Sequence, residues 1–599
     1  MEESGRRDED EKEQARHGGQ GMKLEFIGAD HEVTGSCHFL QVGAVNMLVD
    51  CGMEQGTNRF RNAPLPVPAS RIQYVFLTHA HIDHSGLLPK LYRDGFRGAV
   101  ITTEVTASLC DIMLRDSAHI QQQEAAWKNK KGARRGVWQK IEPEYTMEDV
   151  LAVMKLFQGY RYDRKYQLCN GVEFRFTDIG HLLGSASIEL WLTENAQGTA
   201  SGNPVGAPEG TVTKKIVFSG DIGNRAQPLL RDPDKTDSAD YVVMESTYGD
   251  RLHEAVRGSY VDDLADIIRR TLLRGGNVVI PSFAVGRTQE MLYFIRQIRE
   301  RNLIPELPEF PVYVDSPLAV EATEIFGREG SQCYDEEALS YVEKGINPLQ
   351  FPGLCLTITS EESKRINSDD EPKVIIAASG MCDAGRIKHH LKYNLWRPEC
   401  TILFVGYQAV GTPGRRIVDG AQEVNIFGEP VSVRAEICKL NGLSGHADKA
   451  GLIDWIEGFT VQKPSKVFIV HGEDTVADSF AACLREEHGF DAMAPYSGTI
   501  FNLRTGAFEK LTEGVRVSRA GEGGYVTDMP QQREEAHGDR ISASGAHPVS
   551  DSYTNVRIAA RELENVIANG RGLPNRELDA LAKSLRELAE KYRIGGAGE

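Results

Sequence analysis

The chain has 599 residues, a formal net charge of −18, 41% hydrophobic and 26% charged residues, which is ordinary for a soluble globular protein of two or three domains. The acidic balance counts against a large basic footprint for nucleic acid, though a local basic cleft would need only a few Lys and Arg. Ten scattered cysteines form no CxxC pair, which speaks for reduced thiols in the cytoplasm rather than a disulfide scaffold or thiolate zinc site.

Residues 1–21 are polar, lack the apolar core of a signal peptide and read as a disordered tail. No run reaches the roughly 18 apolar residues of a membrane span, so no membrane partner is expected. Order is expected from "MKLEFIGA", a strand-like alternation, followed by "HFLQVGAVNMLVDCG", two strands about a Gly turn that end at Asp50. "IQYVFLTHA" has the length of a buried strand, and "SGLLPKLYRDG" and "TASLCDIMLRDSAHIQQQEAAW" have helical periodicity. "GVEFRFTDIGHLLGSASIELWL" and "KKIVFSGDIG" return to strands, separated by a Gly/Ala/Pro-rich excursion read as a surface loop. From about 250 to 425 strands and helices alternate, as in a parallel α/β layer. "VRAEICKLNGLSGHADKAGLIDWI" and "KVFIVHGE" then resume strands that end in histidines, the layout of one module inserted in another. The expected divisions are 22–249 and 426–512 for the split domain, 250–425 for the insert and 513–552 for a linker. Residues 553–593 read as a helical hairpin, either capping its own domain or serving as an arm for homodimerisation or partner docking.

The chemistry collects at strand ends. "FLTHAHIDHSG" crowds His79, His81, Asp83 and His84 into six positions; His181, Asp221 and His471 each follow a later strand. A lone histidine there is usually structural. In an extended segment, however, alternate side chains share a face, so His79 and His81 can address one metal, while Asp83 and His84 need a turn to reach a second. Seven nitrogen and oxygen ligands without a thiolate suit two catalytic zinc ions.

Together "THAHIDHSG", "GHLLGSAS", "FSGDIG" and Asp50 of "LVDCG" resemble the metallo-β-lactamase fold. "MESTYGDRLH", "PSFAVGRTQE", "ASGMCDAGR", "GYQAVGTPGRR", "LSGHADK" and "FIVHGE" narrow the resemblance to the β-CASP nucleases. Within these the chain is most similar to the bacterial and archaeal proteins that resemble the nuclease subunit of the eukaryotic pre-mRNA 3′-end cleavage complex. The resemblance spans roughly 22–510. It implies an αββα sandwich with an inserted α/β domain. It also implies two Zn2+ per chain, one held by His79, His81 and His181, the other by Asp83, His84 and His471, with Asp221 bridging. Asp50 would orient a ligand histidine, and Asp83, Glu245 and His446 would be catalytic. The implied activity is zinc-dependent hydrolysis of single-stranded RNA by a hydroxide shared between the metals, in RNA processing or decay, by endo- or 5′–3′ exonucleolytic cleavage. His471 favours RNA over DNA in this family. Ser282, Arg287, Gly380, Arg386, Arg415 and Arg416 are candidate phosphate contacts, and the basic run "WKNKKGARRGVWQK" is a candidate RNA-contacting loop. Other readings are a DNA nuclease, a small-molecule metallohydrolase, for which the long insert is superfluous, and a non-catalytic scaffold, which complete ligands oppose.

Overall fold

The computed structural model describes residues 21–56, 59–134, 140–194, 211–253, 259–440, 442 and 444–517. The N-terminal tail, most of the Gly/Ala/Pro-rich excursion, nearly all of the linker and the C-terminal hairpin lie outside these residues. So does the middle of the basic run, whose start continues the helix Glu104–Arg134.

Two sheets form the sandwich. The first has eight strands, with Ile500–Asn502, Met22–Gly28, Cys37–Val42, Val45–Val49, Tyr74–Phe76 and Ala99–Thr103 side by side inside it. The second has seven and centres on Ala186–Glu194, Val212–Phe218, Tyr241–Glu245 and Lys466–Val470. The period-2 pattern of "MKLEFIG" puts Met22, Leu24 and Phe26 inward at 0% exposure, with Lys23 and Glu25 less buried between them. These residues meet Phe174, Phe176, Phe218, Phe468 and Phe501 from the facing strands to form the core between the sheets. Tyr241–Glu245 is buried at every position because it has parallel or antiparallel-sheet neighbours on both sides and helices beyond. Helices Lys449–Ile456 and Asp474–Glu486 supply that outer cover through Trp455, Phe480 and Leu484. Helices Leu88–Arg93, Glu104–Arg134 and Met147–Val153 cover the other sheet through Leu91, Leu109 and Val150. The layers are therefore αββα, as expected.

The inserted module is a six-stranded parallel sheet in the order Leu354–Thr357, Val312–Asp315, Val374–Ala377, Val278–Pro281, Thr401–Phe404, Glu436–Lys439. Its last strand departs from the expected return to the split domain at residue 426. Glu436–Lys439 pairs in parallel with Thr401–Phe404, with Ile437 packed on one face of the module and Cys438 on the other. The chain rejoins the second sheet only at Lys466–Val470.

The consequence for function lies in where strands end. Val45–Val49, Tyr74–Phe76, Val172–Asp178, Val212–Phe218, Tyr241–Glu245 and Lys466–Val470 all point their C-terminal ends at one edge of the sandwich. The module's loops at residues 282–286 reach the same edge, since a Cβ on Gly286 would lie 3.4 Å from Leu182 Cδ1, beside His181.

Candidate metal centre

Each ligand-type side chain is delivered by a strand end. His79 follows Tyr74–Phe76, and the turn that Asp83 and His84 need is the one-turn helix Ile82–Ser85, with His81 at its N-cap. His181, Asp221 and His471 follow their own strands. His79, His81, His181 and Asp221 converge so that one ligand atom from each lies within 4.8 Å of the others; Asp83, His84 and His471 do the same.

Asp221 stands between the clusters. Its Oδ2 lies 3.5 Å from both His79 Nε2 and His181 Nε2. Its Oδ1 lies 3.2 Å from His84 Nε2 and 3.6 Å from His471 Nε2. His81 Nδ1 is 3.0 Å from His79 Nε2 and 3.2 Å from His181 Nε2. Donors about 2.0–2.1 Å from a tetrahedral zinc sit roughly 3.3 Å from one another, so these spacings fit a metal at the centre of each cluster. Asp221 Oδ1 is buried and makes no hydrogen bond despite the nearby imidazoles, as expected of an oxygen aimed at a cation. The set has imidazoles and carboxylates and no thiolate, which suits catalytic zinc.

The far nitrogens of the imidazoles are also held. His84 Nδ1 donates to Asp50 at 2.7 Å, His181 Nδ1 to Gly445 O at 3.0 Å, His79 Nδ1 to Thr78 Oγ1 at 3.0 Å and His471 Nδ1 to Thr247 Oγ1 at 3.1 Å. These four therefore present Nε2, and His81 alone presents Nδ1, its tautomer fixed in the opposite sense. Asp50 does what was expected of it and more, because it also accepts from Thr78 N and Oγ1 and from Ser36 Oγ. Gly220 is required here: a Cβ at its φ of +58° would stand 2.9 Å from Thr78 Cβ. Burial holds His79 and His181 well below the ordinary imidazole range, with the neighbouring imidazoles adding to the effect, so both stay neutral as ligands must.

Glu245 and His446 form a pair beside Asp221. His446 Nδ1 donates to Glu245 Oε1 at 3.1 Å, and its Nε2 lies 3.9 Å from Asp221 Oδ2. Glu245 is 1% exposed, and its oxygens also accept from Ile222 N at 2.6 Å and Thr247 N at 3.1 Å. Burial opposes charge on His446, but Glu245 and Asp221 outweigh it and push the imidazole up to about 9. Such a group is a proton donor at neutral pH.

The phosphate candidates divide. Ser282 is buried and donates to Phe283 O, Arg287 is paired with Glu290, and Arg386 is committed to buried Asp315 at 2.6 Å and to Thr357 O. These three side chains are structural rather than free for substrate. Gly380 packs against Phe283 and accepts from Gln408. Arg415 pairs with Asp419 and lines a cleft of about 440 Å³ beside His446, while Arg416 is exposed with no ion pair among the described residues. Sequence reading missed Thr78, Thr247 and Gly445. A hydroxyl next to a ligand or catalytic position was the available signal for the first two; a backbone carbonyl gives none.

Comparison with known proteins agrees with this geometry. The metallo-beta-lactamase superfamily matches residues 32–151, the Beta-Casp domain 288–417 and the Zn-dependent metallo-hydrolase RNA specificity domain 430–495. Ribonuclease TTHA0252 of Thermus thermophilus is 37% identical over 454 residues, 76% of this chain and 94% of the relative. Transcription termination factor FttA of Methanosarcina mazei is 29% identical over 77% of this chain and 69% of its own. An RNase J-like protein of Methanocaldococcus jannaschii is 29% identical over 80% of this chain and 99% of its own.

Proposed function

The chain belongs to the β-CASP family of metallo-β-lactamase-fold, metal-dependent hydrolases, and on that premise we propose that it is a ribonuclease that uses two zinc ions to hydrolyse phosphodiester bonds of single-stranded RNA. The observation that carries this reading is the Asp221 carboxylate, one oxygen turned to each ligand cluster, with a proton donor 3.9 Å away. RNA as substrate is supported by the RNA specificity match and by a ribonuclease relative that shares most of its length with this chain.

His79, His81 and His181 would hold one zinc, Asp83, His84 and His471 the other, and Asp221 both. When bound, the pair supplies a water acidified toward a pKa of ~7 and neutralises phosphoryl oxygens. The protein's own part is positional and protonic. The strand ends fix the ligands, Glu245 aligns the His446 imidazolium, and Nε2 gives its proton to the leaving 3′-oxygen. The products are a 5′-phosphate and a 3′-hydroxyl. Freshly purified protein should contain two zincs per chain. It should cut single-stranded RNA in preference to DNA of the same sequence at matched salt, and chelation should abolish cleavage until zinc is restored. Equal or faster cutting of the DNA would move the protein to a DNA-processing role.

A further inference from the structure

The cleft beside His446 is walled by both modules and contains features that the metal centre does not use. Tyr248 and Arg251 enter from the loop after strand Tyr241–Glu245, Tyr407 and Arg415 from the loop and helix after Thr401–Phe404, and Lys439 from the end of the module's last strand. In a chain of charge −18, this lining sets three cations against one acid, Asp419. Tyr407 is 59% exposed, yet its backbone is not loose. Buried Gln408 donates to the carbonyls of Gly380, Gly406 and Tyr407 at 3.0–3.3 Å, clamping this loop to its neighbour while the ring is left uncovered. An aromatic ring on a rigid loop amid cations is what a nucleobase and its phosphate need: a π-face for the base and charge for the backbone.

The direction of the cleft gives its polarity. The metal-ligand clusters lie on the Asp221 side of His446, and Tyr248, whose ring centroid is 6.1 Å from that of His446, leads away into the cleft. Ser444, which also lines the cleft, donates to the His446 carbonyl. In-line displacement puts the leaving oxygen opposite the attacking one, hence on the His446 side. We propose that this cleft is the subsite for the nucleotide immediately 5′ of the cut, whose 3′-oxygen leaves. Tyr407 stacks on its base, and Lys439 and Arg251 hold the phosphate before it. The assignment rests on the ribonuclease reading above.

The test uses the full-length, zinc-loaded protein and a short single-stranded RNA with one cleavable linkage. Tyr407→Ala should lower kcat/KM roughly ten- to hundredfold, the range of one lost base stack, chiefly through KM, whereas Tyr407→Trp should stay near the parent; melting midpoints of both variants check folding. An abasic nucleotide placed 5′ of the cut should cost the parent as much as Tyr407→Ala does and cost Tyr407→Ala nothing further. The same lesion 3′ of the cut should not couple to Tyr407. A Tyr407→Ala value within twofold of the parent, or coupling to the 3′ nucleotide instead, overturns the subsite. Turnover of bis(4-nitrophenyl) phosphate without any RNA cleavage overturns the ribonuclease reading itself, and the subsite with it.

Discussion

A carboxylate with one oxygen in each of two ligand clusters cannot be removed for one cluster alone. Asp221→Ala should therefore lose both metals and activity together, read by elemental analysis beside a cleavage assay; retention of one full equivalent of metal would contradict a shared ligand. Glu245 and His446 are different in kind, since they touch the centre only through Asp221 Oδ2 at 3.9 Å. His446→Ala should keep near-normal metal content while turnover falls by roughly 10²–10⁴, the range for a lost general acid. The pH profile separates donor from bystander. Burial works against charge on His446, and Glu245 is the largest influence raising it to about 9. A donor must be protonated, so kcat falls as pH rises through that value. Bound cations would lower it in parent and variant alike, and Glu245→Gln removes the main support for the imidazolium. The alkaline limb of the Glu245→Gln profile should thus move to lower pH; an unmoved limb would detach the pair from proton transfer.

At the scale of elements, the parallel strand Val312–Asp315 ends on a carboxylate that its local sequence gives little reason to single out. Asp315 is fully buried and accepts from Thr357 Oγ1, Ser363 Oγ, His390 Nε2 and Arg386 at 2.6–2.7 Å. This hub ties three segments of the inserted module together. It also explains why "ASGMCDAGR" misled as a phosphate motif: the partner that takes up Arg386 is 71 residues away, and no local spacing shows such a pairing. The metal ligands were legible for the opposite reason. Four fall in six positions, the others each follow an apolar strand, and strand ends are visible in hydrophobic pattern. Burial opposes ionisation of Asp315, but the bonds from His390, Ser363, Thr357 and Arg386 prevail and hold it well below the usual carboxylate range. A depressed folded pKa stabilises above the unfolded value, about 3.9, and this contribution is lost as pH falls through and below it. Asp315→Ala should cost about 3–5 kcal/mol, as for a broken buried ion pair. Hydrogen exchange in Val312–Asp315 and Val374–Ala377 should rise selectively; unchanged protection there would show that the hub contributes little.

At the scale of the whole molecule, the split of one domain around another was legible because strand–loop–histidine patterns stop near 250 and resume past 440, while the interval alternates strand and helix. The return point was not legible, because Glu436–Lys439 reads as a strand in either sheet. Only its parallel pairing with Thr401–Phe404 decides between them, and pairing is a long-range fact. The C-terminal division rests on firmer ground, since residues 520–599 form a separate unit from the one that contains every proposed ligand. Separable units with few shared contacts fold independently, and the last strand of the sandwich, Ala507–Lys510, is complete well before residue 520. A chain ending at residue 519 should therefore keep its melting midpoint and zinc content and should still cut RNA, which circular substrates would report as endonucleolytic cleavage. Loss of soluble, metal-loaded protein would mean that the C-terminal unit completes the fold. Sedimentation of the two forms side by side assigns the hairpin. An apparent mass reduced to half or less makes it a dimerisation arm, and a mass changed only by the residues removed leaves it a cap or a dock for another partner.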